Sequence, residues 1–74
     1  MKLKAHVTKI GSDNIKWLTI ESDEIDTRGF FIYYHLNNEI AYDTWHKSID
    51  EAFDAAYQQY GIAKERWEEI KNDI

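Results

Sequence analysis

Residues 48–61 read Ser-Ile-Asp-Glu-Ala-Phe-Asp-Ala-Ala-Tyr-Gln-Gln-Tyr-Gly, and the spacing of their apolar members decides the fold class. Ile49, Ala52, Phe53, Ala56, Tyr57 and Tyr60 recur at three, four, seven and eight residues, which lays them along one stripe of an α-helix. Ser48 and Glu51 have the Ser-x-x-Glu spacing of a capping box. Asp50 and Glu51 put negative charge at the positive end of the helix dipole. Gly61 supplies a residue able to take the left-handed conformation at which helices commonly stop. A one-striped helix needs a surface to cover, and the residues before it supply one.

Lys2 to Ile10 alternates loosely, with Leu3, Ala5 and Val7 opposed to Lys2, Lys4, His6 and Thr8, as in a strand with one buried face. Gly11-Ser12-Asp13-Asn14 is a cluster of turn formers, so a hairpin leads to a second strand over Ile15 to Glu21. Residues 22–27 form an acidic loop that Ile25 could anchor. Arg28 to Leu36 is the most apolar run and reads as a central strand. Asn37-Asn38 suits a tight turn, and Glu39 to Trp45 returns as a fourth strand. After Gly61, residues 63–74 place Trp67, Ile70 and Ile74 on one stripe, which predicts a short second helix. The expected fold is α+β: an antiparallel meander of three to four strands, followed by one long and one short C-terminal helix packed on one sheet face. Residues 1–74 form a single domain. Its expected core is Leu3, Val7, Trp17 or Leu18, Ile32, Tyr34, Ile40, Ile49, Phe53, Ala56, Tyr57 and Tyr60.

At 74 residues, a single core leaves a net stability of only about 3–5 kcal/mol. The chain has no cysteine, which excludes disulfides and thiolate zinc sites. Three Trp, five Tyr and three Phe supply large buried rings and argue against disorder. No apolar run approaches a membrane span, and the first residues lack a signal-peptide core, so a cytoplasmic location is expected. Net charge is −5 but uneven: residues 1–20 carry Lys2, Lys4, Lys9 and Lys16 against Asp13, whereas residues 21–74 carry thirteen acids against five bases. An acidic chain is repelled on average by nucleic acid and anionic membranes. The basic first hairpin is the one place where such a ligand could land.

The third strand carries the functional signal. Phe30, Ile32, Tyr34 and Leu36 would point to one face, and Phe31, Tyr33 and His35 to the other. One long helix covers only one face of a four-stranded sheet. The second would expose Phe31 and Tyr33, with Trp17 or Leu18 beside them, and contiguous apolar surface of this kind marks an interaction site. Three readings follow: the C-terminal helix or acidic loop folds across that face, a second copy covers it, or it binds another molecule. Trp17, Phe31, Tyr33 and His35 are the candidate partner-binding residues.

Other constellations carry less. His46 beside the helix start, with Asp43 to orient it, could act as a neutral base, yet no nucleophile or oxyanion-hole motif accompanies them. His6, His35 and His46 lack the spacing that sets two metal ligands on one helix face. The acids Asp23, Glu24 and Asp26 fail the calcium-loop pattern, and the three glycines form no phosphate loop. No cofactor, metal or small-molecule substrate is therefore expected, and no enzyme. Lys2, Lys4, His6 and Lys16 with Tyr33 could form a basic–aromatic platform for nucleic acid, which is the alternative reading.

Asp43-Thr44-Trp45-His46, the helix over 48–60, Gly61-Ile62 and Trp67 together resemble a C-terminal pattern of short uncharacterised bacterial proteins: D-T-W-H, alanine-rich helix, Y/F-G-hydrophobic, W. Some of these lie in contexts resembling toxin–immunity systems. The resemblance implies a small immunity or accessory protein that binds a partner protein or itself. It supplies no active-site residue. Proline commonly follows the Gly-hydrophobic pair in that pattern, whereas here Ala63 does.

Overall fold

The helix begins and ends where its caps stand. In the computed structural model, which describes residues 1–8, 14–26, 28–37 and 39–70, α1 runs Ile49–Tyr60. Ser48 is extended, and its Oγ accepts the Glu51 backbone N–H at 3.1 Å, satisfying one of the first-turn amides. Gly61 sits at φ 69°, and its N–H donates to the Tyr57 carbonyl at 2.8 Å. Ala52, Ala56 and Tyr60 are buried, and Ile49, Phe53 and Ala55 pack beside them. Small alanines at the contact let the helix approach the sheet closely. Tyr57, expected in the core, is 57% exposed. At about 100° per residue it lies roughly 70° from the centre of the Ile49–Phe53–Ala56–Tyr60 stripe, on the solvent flank.

Four strands precede the helix: β1 Lys2–His6, β2 Trp17–Ser22, β3 Phe30–His35 and β4 Ile40–His46. Each pairs antiparallel with the next, so the expected meander is present. Rows across the sheet follow from the register. Ala5, Leu18, Tyr34 and Tyr42 form one row and Leu3, Ile20, Ile32 and Thr44 the next, both facing α1. Leu18, Ile20, Ile32 and Tyr34 are fully buried there. Between Trp17 and Leu18, it is Leu18 that enters the core. Ala5, Ile15, Ala52, Ala56, Tyr60 and Ile62 complete it, with Leu3 and Val7 packed at its margin.

Three expectations need correction here. Ile40 is exposed rather than buried, because the register shifts between Tyr34 and His35 and sets the start of β4 outside the core rows. Ile25 anchors nothing and is 91% exposed. The Asp23 carboxylate holds that loop instead, accepting the backbone N–H groups of Ile25 and Asp26 at 3.4 and 3.3 Å. The third strand starts at Phe30, two residues later than expected, because Arg28 takes φ 58° before it. The Gly11–Asn14 turn falls largely outside the described residues, as does Asn38.

The largest departure lies after Gly61. Instead of a second α-helix, Lys64–Arg66 makes one 3₁₀ turn and β5, Glu68–Glu69, pairs antiparallel with β1. The sheet order is therefore β4-β3-β2-β1-β5. A short helix in this segment would be marginal by itself, whereas β1 presents an open edge whose backbone groups need partners. The Ile70 N–H donates to the Lys2 carbonyl at 2.8 Å, and Arg66 Nη2 donates to the His6 carbonyl at 2.7 Å. Trp67 is extended and packs its ring 6.0 Å from Phe53; its Nε1 is buried without a hydrogen-bond partner.

Candidate interaction face

Alternation along the strands sends every second side chain away from α1. The outward rows are Lys2–Glu21–Phe31–Trp45, then Lys4–Thr19–Tyr33–Asp43, then His6–Trp17–His35–Ile40. The four candidate residues Trp17, Phe31, Tyr33 and His35 thus share one face, each partly exposed. Among the described residues no helix covers it. α1 lies on the opposite face, and the 3₁₀ turn and β5 lie beside β1.

The aromatic groups of this face are ordered against one another. Trp17 stacks on His35 at 5.3 Å and 13°, and Phe31 stacks on Tyr33 at 5.9 Å. The Lys4 ammonium stands 5.0 Å from the Trp17 ring, an attraction between a cation and the negative π-face. Thr19 Oγ1 and His35 Nε2 are 3.0 Å apart, which holds the imidazole flat for the stack. Trp45 leans over Gly29, where any Cβ would collide with the indole, yet its side remains 45% exposed.

Charge is present but balanced. Lys2 and Glu21 pair at 3.6 Å, while Lys4 stands beside Glu68 of β5 in a row that Asp43 closes on β4. Burial raises the Tyr33 phenol above its ordinary value, and the carboxylates of Glu21, Asp43 and Asp23 add to this. Burial lowers the His35 imidazole, and Lys2 and Lys4 lower it further. At neutral pH Tyr33 and His35 are therefore uncharged, and the carboxylate beside them on β2, Glu21, is paired with Lys2.

Trp45 is a member that sequence reasoning missed as a contact residue. The signal was its parity: in an antiparallel return, Asp43 and Trp45 fall opposite Tyr33 and Phe31 and so share their face. The same parity separates Asp43 from His46. His46 faces α1, where burial lowers its pKa, so Asp43 does not orient it. Its Nε2 lies 2.8 Å from Thr44 Oγ1, Thr44 lies 3.1 Å from the Tyr34 hydroxyl, and Tyr34 donates to Gln59 Oε1 at 2.8 Å. Tyr34 has one hydrogen, given to Gln59, so it accepts from Thr44, which accepts the His46 Nε2–H. Burial raises the Tyr34 phenol, which keeps that hydrogen in place. This chain ties β3, β4 and α1 together.

His6 and His35 flank Trp17 on the outer face, while His46 is on the inner one. Among the described residues no three or more metal-ligating side chains gather, and no helix is long and apolar enough to cross a membrane. A hollow of about 500 Å³ opens beside the β2–β3 connection, lined by Ser22, Asp23, Arg28 and Phe30 among others. Its polar groups engage one another: the terminal amine donates to Ser22 Oγ at 3.2 Å, and Ser22 donates to Glu24 at 3.0 Å. No protein-family model, curated protein or solved structure matches the chain.

Proposed function

We propose that this chain is a non-enzymatic protein-interaction domain that works through the outer face of its sheet. One observation carries the reading: Trp17, Phe31, Tyr33 and Trp45 lie together on a face that no described helix covers. Aromatic side chains at a desolvatable centre, with charges toward the margins, are the composition of energetically dominant contact patches. The resemblance to short uncharacterised bacterial proteins, some in contexts resembling toxin–immunity systems, supports the same reading. The test is association of the wild-type chain, with itself by light scattering or with a protein retained on the tagged chain in its native cell. Phe31→Glu and Tyr33→Glu should abolish that association while leaving the circular dichroism spectrum and cooperative unfolding intact. Association undiminished by both substitutions would overturn the proposal.

The competing use is a platform for single-stranded nucleic acid, favoured by Lys4 above the Trp17 ring. It is the weaker reading, since Lys2 already pairs with Glu21 and Lys4 stands beside Glu68 in the ladder. Asp43 adds a further carboxylate to that face. A salt-sensitive oligonucleotide shift lost in Lys4→Glu would establish it in place of the first.

A further inference from the structure

The outer face has a symmetry of charge that its aromatic content alone does not require. Lys4 and Asp43 lie in the same row, on β1 and β4, with Thr19 and Tyr33 between them and Glu68 of β5 beyond Lys4. Three strand spacings of about 4.8 Å separate Lys4 from Asp43 by roughly 14 Å. Lys2 and Trp45 end the neighbouring row, with Glu21 and Phe31 between them. The four strands thus carry two ammonium groups on β1 and an acid and an indole at the matching positions of β4.

Resting on the interaction reading above, we propose that the occupant of this face is a second copy of the chain, packed face to face about a twofold axis parallel to the strands between β2 and β3. Rotation about that axis exchanges left for right within each row and leaves the rows in step. Lys4 then meets Asp43 of the second copy, and Asp43 meets its Lys4. Lys2 meets Trp45 of the second copy, cation over π-face. Thr19 meets Tyr33 and Trp17 meets His35 at the centre, while Glu21, paired with Lys2 of its own chain, meets Phe31. Each contact occurs twice, as an isologous interface demands. The other in-plane axis, running across the strands through the middle row, fails on charge. It sets Lys4 on Lys4 and Asp43 on Asp43, and like charges brought together at an interface are strongly unfavourable. Aligned sheets also pack within about 30° of one another, which the parallel axis allows and near-perpendicular strands do not.

Size sets the strength. Four strands about 4.8 Å apart and three rows about 6.7 Å apart give a patch roughly 20 Å on a side. That is below the roughly 800 Å² per partner of a standard specific interface. The dimer therefore dissociates on dilution, and its central aromatic contacts, rather than its area, hold it.

The experiment is sedimentation velocity on the full chain over a concentration series at low salt. It uses wild type, Lys4→Glu, Asp43→Lys, the double variant and Phe31→Glu, with thermal unfolding of each to establish that it is folded. Wild type should shift from monomer to dimer with concentration. Each charge reversal should weaken the dimer roughly tenfold or more, and the double variant should return to within about threefold of wild type. Asp43→Lys is the arm that decides if Lys4→Glu, placed beside Glu68, loses its fold. Phe31→Glu should be monomeric throughout. A wild-type monomer at every concentration overturns the dimer, as does a double variant as weak as the sum of its parts. If such a monomer still retains a cellular protein that Phe31→Glu loses, the interaction reading stands without the dimer. A dimer that survives Phe31→Glu unchanged sinks both.

Discussion

The two faces of the central strands are built from similar residues and meet different fates. On β3, Ile32 and Tyr34 point toward α1 and are fully buried, while their neighbours Phe31 and Tyr33 point outward and remain partly exposed. On β2, Leu18 and Ile20 face inward beside Trp17, which faces outward. Hydrophobicity alone does not separate the two sets. What separates them is the helix: a twelve-residue α1 shields one side of the sheet, and no described helix shields the other. Burial on the inner face holds the fold together, and apolar area on the outer face stays partly exposed.

The sharpest way to break this contrast is to truncate matched neighbours on β3. Ile32→Ala removes a fully buried side chain and should cost about 2–5 kcal/mol, as much as the whole stability expected of so small a domain. Phe31→Ala, one residue away, should cost below about 1 kcal/mol at dilute concentration, because it loses a same-strand stack on Tyr33 and little burial. Urea unfolding of both checks the pair; equal losses would erase the distinction between the faces.

A second, smaller effect sharpens the account of the inner face. Tyr34→Phe removes the hydroxyl shared by Thr44 and Gln59. The loss should be about 1 kcal/mol, toward the low end for a buried hydroxyl, since the exposed Gln59 can turn to water. His46 should then lose its fixed tautomer, which nitrogen NMR of the imidazole reads directly.

The smallest effect is a pH dependence contributed by both faces. His35 outside and His46 inside each titrate below the ordinary 6.5, chiefly because burial disfavours the imidazolium. Around and below that value the unfolded chain binds more protons than the folded one. Stability is therefore full above the unfolded value and falls as pH drops through the folded values. Thermal midpoints should decline between about pH 7 and pH 5, and His35→Gln and His46→Gln should each flatten part of the decline. A midpoint that rises on acidification would contradict both shifts.

Much of this architecture was legible in the residues. Ser48, the 49–60 stripe and Gly61 state a helix locally, and each signal acts within a few residues of itself. The opposed parities of Phe31 and Ile32 likewise announced a strand with two apolar faces. Residues 63–70 misled because Trp67 and Ile70 stand three apart, a spacing that also serves an extended segment turning onto an edge. Nothing nearby in sequence says that β1, more than sixty residues earlier, lacks a partner on that side. Trp45 escaped for a related reason. Its outward position depends on the pairing of β4 with β3, and its resting place depends on Gly29, sixteen residues before it.

The β1–β5 pairing bears on how copies of this protein could grow into larger assemblies. A sheet with two open edges can extend at both and build a filament. Here one side ends in β5, a strand of only two residues, Glu68 and Glu69. It is too short to template another strand, and its charges repel their own kind. Among the described residues only β4, with Ile40 and Tyr42 exposed, offers a continuous edge. Copies meeting there, β4 to β4, use up the one continuous edge among the described strands, and edge pairing stops at pairs. Polymerisation through the sheet is thereby terminated by two glutamates at the far end of the molecule.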